Sequence, residues 1–127
     1  MSRGSRPLRL GPREFEKLVG EAVASLPKEF VTRLENVLIA VEEEPADEDY
    51  DASDTPDDEE LLGIFRGAMR TESSFDDLPG LPPEVVVFRG PILRVSETRE
   101  EALAEIRETV LHELGHLFGL EDEEMPY

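Results

Sequence analysis

The chain has 127 residues, 39% of them hydrophobic, enough for one core and too few for two comfortable domains. Thirty-one acidic side chains against 13 basic ones leave a net charge of −18, which excludes nucleic-acid backbones and anionic membrane surfaces as natural partners. There is no cysteine, so disulfides and thiolate metal sites are ruled out and any metal must sit on His, Asp or Glu.

No apolar run approaches the length of a membrane span, and the opening "MSRGSRPLRLGPREF" has arginines without the apolar stretch of a secretion signal. A cytoplasmic location is the expectation. Residues 1–12 read as a flexible basic arm, since the first thirteen residues carry four arginines and little to pack. Phe15, Leu18, Val19, Ala22, Val23 and Leu26 then recur at helical spacing. Pro27 ends that helix and can start a short second one through "KEFVTRL".

"NVLIAVE" from Asn36, "LLGIFRG" from Leu61, "EVVVFRG" from Glu84 and the following "PILRV" are short β-branched or aromatic runs bounded by Gly and Pro. They predict a small sheet of three or four strands. Together with the helices they make an α+β chain of one domain over residues 1–127. "FDDLPGLPPE" is too rich in proline to be regular.

Residues 42–60, "EEEPADEDYDASDTPDDEE", concentrate more than a third of the acidic side chains and almost nothing apolar, the composition of a solvated acidic loop. Asp47, Asp49 and Asp51 alternate as in a calcium loop. Ala52, however, stands where that loop needs Gly, and Asp58 where it needs a bidentate Glu. Read as a plain connection, the segment should yield to a Gly/Ser linker with folding nearly intact.

Thr98 followed by Glu101 matches a capping box, and a helix from there to Gly119 would run about 20 residues, roughly 30 Å. On a helical wheel Leu103, Ile106, Val110, Leu114 and Leu117 form one apolar stripe. His112 and His116 fall almost opposite, on the stripe of Glu105 and Thr109. These are the only two histidines in the chain, and four-residue spacing stacks them on one face, where both imidazoles can reach one cation. Glu113, offset from that face, can reach a metal-bound water. The pattern is HExxH.

The full string "HELGHLFGLED" reads H-E-x-x-H-x-x-G-x-x-D. Gly119 can turn the chain back after the second histidine, and Asp122 arrives in the register of the third metzincin ligand. Glu121 and Glu123 compete with it for that role. Gly115, inside the helix, costs about 1 kcal/mol relative to Ala and implies close packing or close approach of a strand or substrate.

On these residues the chain resembles the small bacterial minimal-zincin metallopeptidases, which carry H-E-x-x-H-x-x-G-x-x-D near the C-terminus. The order of a leading helix, "LPKEFVTRLENVLIAVEEEP", "LLGIFRG", "LPPEVVVFRGPIL" and "TVLHELGHLFGLEDEE" follows theirs. The resemblance implies one zinc ion on His112, His116 and Asp122, Glu113 as general base, a mixed sheet packed on the active-site helix, and a peptide or protein substrate. It also implies that segment 42–60 hangs near the cleft mouth, where its charge would favour basic substrates.

Arg89, Tyr50 and Tyr127 are candidate donors to an oxyanion, while Glu105 and Thr109 are candidates to orient the metal ligands. Two other functions fit the same residues: a metal- or partner-binding domain without catalysis, and a hydrolase acting on something other than a peptide. Turnover that depends on Glu113 separates the first of these from a peptidase.

Overall fold

The computed structural model describes residues 8–33, 37–53, 55–56, 58–66 and 83–117. Most of the proline-rich loop, and everything beyond Leu117, lie outside the described residues.

The leading helix α1 spans Pro12–Ala24. Pro12 occupies its first position, where a missing N–H costs nothing and φ is already helical, and the Gly11 carbonyl accepts the first helical bond, from the Phe15 amide. Phe15, Leu18, Val19 and Ala22 form its buried face, as their spacing predicts. The helix ends where the Ser25 hydroxyl donates to the Ala22 carbonyl at 2.7 Å. The Pro27 carbonyl then accepts the Phe30 and Val31 amides, starting α2, Lys28–Arg33.

Three strands make one mixed sheet: β1 (Leu38–Glu42), β2 (Gly63–Arg66) and β3 (Glu84–Phe88), in the order β1-β3-β2. β1 runs parallel to β3, with Leu38 opposite Glu84 and Glu42 opposite Phe88. β2 runs antiparallel to β3, with Gly63 opposite Val87 and Arg66 opposite Glu84. The central strand is buried on both faces, which is why "VVVF" is a continuous apolar run. Val85 and Val87 enter the main core with Phe15, Leu18, Ile106, Val110 and Leu114. Val86 and Phe88 point the other way and cluster with Leu61 and Ile64.

The run "PILRV" is not a fourth strand. It lies in α4, Arg89–Arg94, with Pro91, Ile92 and Leu93 buried. Pro91 falls in the first turn, where no intrahelical acceptor awaits its missing N–H, and the Ser96 hydroxyl closes the helix on the Ile92 carbonyl at 2.8 Å.

Two further expectations are corrected. Residues 8–12 do not belong to a flexible arm, because Leu8 and Leu10 pack against the core and the Arg89 guanidinium donates to the Leu10 carbonyl; residues 1–7 lie outside the described residues. Segment 42–60 is not a plain acidic loop either. Glu42 closes β1, α3 spans Asp47–Ala52, and Tyr50 lies over the second face of the sheet. The segment therefore forms a third layer, covering the apolar side chains of the sheet that point away from the main core.

What allows so acidic a stretch to pack is a set of arginines distant in sequence. Arg66 donates to Glu42 at 2.8 Å and to both oxygens of Asp49 at 3.1 Å. Arg89 holds Glu43 at 2.9 Å. Arg94 forks between Glu44 at 2.8 Å and Glu60 at 2.7 Å, drawing the two ends of the segment together. Asp49 is only 5% exposed, and it also accepts the Ala46 amide at 2.8 Å. Its oxygens are thus committed to Arg66 and a helix cap, which removes it from any calcium loop.

Candidate active site

Helix α5, Arg99–Leu117, carries the motif. Thr98 caps it, its hydroxyl accepting the Glu101 amide at 3.1 Å and its carbonyl accepting the Ala102 amide at 3.0 Å. The Glu101 carboxylate reaches back to the Glu97 amide at 2.7 Å, one residue earlier than a strict capping box requires.

The buried face of α5 is Ala102, Ile106, Val110 and Leu114, joined by Leu111. Leu103, expected on this stripe, is only half-buried. The face is broad because α5 packs on α1 along one flank and on β2 and β3 along the other. Gly115 is buried, in keeping with close packing.

Opposite that face His112 is exposed; Glu113, offset from it and half-buried, lines with it a cleft of about 450 Å³. Glu105, Glu108 and Thr109 continue the same wall toward the start of the helix. The facing wall is Glu60–Gly63, the approach to β2, with Thr55 beside it. The end of the acidic segment thus reaches the cleft. Segment and strand are brought to the helix by Gly63, which has no side chain to hold α5 away.

The predicted ligands are only partly on view. His112 and His116 both belong to α5, four residues apart on one continuous helix. The His116 side chain, Gly119, Glu121, Asp122 and Glu123 lie outside the described residues, as does Tyr127. Among the described residues no group of three or more metal-ligating side chains converges.

Neither of the two described candidate oxyanion donors lines the cleft. Arg89 is engaged with Glu43 and the Leu10 carbonyl, and Tyr50 packs against the second cluster, its hydroxyl oxygen accepting the Leu61 amide at 3.4 Å. Thr109 and Glu105 do face the cleft, as their helical register predicts. Glu108 belongs with them: it stands four residues before His112, a spacing that marks a shared face. No local signal identifies Glu60, Leu61 and Leu62 as the opposite wall.

The carboxylates of the cleft differ in their surroundings. The Arg94 guanidinium holds Glu60 below the ordinary carboxylate range by hydrogen bonding to it. Glu105 is pushed the other way, chiefly by burial and then by the neighbouring charges of Glu108 and Glu101.

A long helix carrying HExxH beneath a small mixed sheet, with an antiparallel edge strand across the cleft, is the arrangement of the zincin class. A family model described as zincin-like metallopeptidase matches residues 34–127, and the chain belongs to that family. Among solved structures it is similar to a conserved hypothetical protein from Thermo thermophilus, at 24% identity and a TM-score of 0.56, over 86% of this chain and 94% of that one. That likeness speaks for the fold alone. No curated protein matches the sequence. Among the described residues no helix is long and apolar enough to cross a membrane.

Proposed function

We propose that the chain is a zinc-dependent peptidase in which His112, His116 and Asp122 hold the metal and Glu113 is the general base. The observation that carries this reading is that His112 and Glu113 line one cleft together, directly across from the approach to an edge strand. The donor set suits zinc: an exposed imidazole in the cleft, a second histidine one turn further along the same helix, and a carboxylate in the register of a third ligand. Zinc bound there would supply an acidified water and a Lewis acid for the scissile carbonyl.

The chain's own part begins with the strand. The Leu62 carbonyl accepts the Phe88 amide at 2.9 Å. By the alternation of an antiparallel ladder, the backbone groups of Gly63 and Phe65 then point away from the sheet, where an extended peptide can pair with them. The Glu113 carboxylate takes a proton from the attacking water as the new C–O bond forms. It returns that proton to the departing amine nitrogen as the C–N bond breaks.

The test is turnover of a mixed peptide library by the zinc-loaded protein, beside Glu113→Gln. The variant should keep one zinc and lose about 100-fold or more in rate, because an amide cannot accept the proton. Equal turnover by the two proteins would remove Glu113 from the mechanism. Stoichiometric zinc with no cleavage by either would instead favour a binding domain.

A further inference from the structure

Five carboxylates of the acidic segment, one of them on the cleft wall, have an arginine. Glu42 and Asp49 share Arg66, Glu43 has Arg89, and Glu44 and Glu60 share Arg94. Glu105 and Glu108 are different. They stand three residues apart on the cleft wall of α5, and neither has a cationic partner among the described residues. Glu105 is half-buried as well, so water compensates its charge poorly. Leu61, Leu62 and Leu111 line the same cleft and offer apolar surface to an aliphatic stem.

We propose that Glu105 and Glu108 determine specificity, selecting a lysine or arginine side chain of the substrate two to three residues from the bond that is cut. The inference rests on the peptidase reading of this cleft and adds what the cleft selects. The distance follows from the helix. Glu108 and Glu105 precede His112 by four and seven residues, roughly 6 and 10 Å along the axis. An extended peptide advances about 3.3 Å per residue, so for a peptide laid along α5 those carboxylates would stand level with the second and third residues counted from His112. A cation there relieves the repulsion between the two carboxylates and supplies a counter-charge that none of the described residues gives them.

A net charge of −18 attracts cations everywhere on this protein, so the test must separate the cleft from the general field. The zinc-loaded protein is offered a peptide library in which the three residues on each side of the cut are varied. Wild type should enrich Lys and Arg two to three residues from the cut. Glu105→Gln/Glu108→Gln should lower the Lys-over-Glu ratio in kcat/KM about tenfold, whereas Glu97→Gln/Glu100→Gln, with the same change in charge away from the cleft, should not. An unchanged ratio in the first variant, or an equal fall in the second, overturns the proposal.

Binding keeps it decidable without turnover. Fluorescence anisotropy of labelled Lys and Glu peptides on the Glu113→Gln protein should give the same ratio and the same response to the two double variants. Peptides bound with that preference but never cut would defeat the peptidase reading and leave the selectivity standing. Cleavage of neutral peptides with no preference for cations would do the reverse. A last readout distinguishes selectivity from a structural role: Glu105→Gln should raise Tm at neutral pH, since it removes repulsion, and a fall in Tm would mean that Glu105 supports the fold.

Discussion

Gly63 of β2 and Thr109 of α5 meet so closely that a Cβ on the glycine would stand 2.5 Å from Thr109 Cγ2 and 2.7 Å from the Val86 carbonyl oxygen. Neither neighbour is free to move. Thr109 is fixed in the middle of a packed helix, and the Val86 carbonyl belongs to the central strand. The absent side chain therefore sets the separation of the two walls of the cleft.

Gly63→Ala should cost about 1–3 kcal/mol, the usual range for forcing a methyl into a packed contact, read as a lower urea midpoint. Combining it with Thr109→Ser removes the clashing methyl and should restore part of the loss, the carbonyl contact remaining. A midpoint equal to wild type in the single variant would mean that the strand is not held against the helix here.

Arg66 is the other fixed point, because among the described residues it alone pairs with the buried Asp49. Arg66→Ala would leave that carboxylate without its cation and should destabilise by about 2 kcal/mol, less than a fully buried pair because Arg66 keeps contact with water. Arg66→Lys should recover only a fraction, since an ammonium cannot fork between Glu42 and Asp49. Asp49→Asn should cost less than Arg66→Ala, as an amide oxygen can still accept the Ala46 amide. Chemical denaturation gives the order, and a negligible loss for Arg66→Ala would show the pair to be a surface ornament.

The same pair explains which parts of the fold are legible in the sequence. α1 and α5 are, because their apolar faces recur within each helix, and so is the juxtaposition of His112 and Glu113, fixed by neighbouring positions on one helix. α3 is not, because the arginines that let it pack come from β2 and α4. Nor is α4, whose apolar run suits a strand until Pro91 is seen to sit in a first helical turn. The wall at Glu60–Gly63 escaped for a related reason: only tertiary packing brings it to α5.

Replacing the interior of the acidic segment tests its role as a layer. A Gly/Ser linker in place of residues 45–58 removes Tyr50 and Asp49 and uncovers the cluster of Leu61, Ile64, Val86 and Phe88. We expect a lower midpoint and new binding of a hydrophobic dye, and Tyr50→Ala alone should cost about 2 kcal/mol. Full stability after replacement would return the segment to the status of a simple connection.

The Arg94 fork has a pH signature. Hydrogen bonding to Arg94 depresses Glu44 and Glu60 from their ordinary 4.5. Groups depressed on folding stabilise fully above their unfolded value, and the contribution is lost as pH falls through the folded one. The Tm gap between wild type and Arg94→Ala should therefore be widest near neutral pH and close as the solution is acidified below about 4.5. These side chains are partly solvated, so the gap should correspond to about 1 kcal/mol or less. A gap that widens in acid would reverse the sign assigned to these carboxylates.

The metal assignment separates cleanly from the fold. His112 is exposed on the side of α5 away from the core, and alanine is the better helix former. His112→Ala should therefore change stability of the metal-free protein by no more than about 0.5 kcal/mol. Leu114→Ala, two residues on and fully buried, should cost about 2–5 kcal/mol. Zinc reverses the contrast. At a hundredfold excess over Kd it should stabilise wild type by about 2.7 kcal/mol, because it binds the folded chain alone. That gain should vanish in His112→Ala and persist in Leu114→Ala at temperatures where the latter is folded. Asp122→Ala should weaken zinc more than Glu121→Ala or Glu123→Ala, and the opposite order would move the third ligand to one of those glutamates. One tightly held zinc per chain in His112→Ala would place the metal somewhere other than this motif.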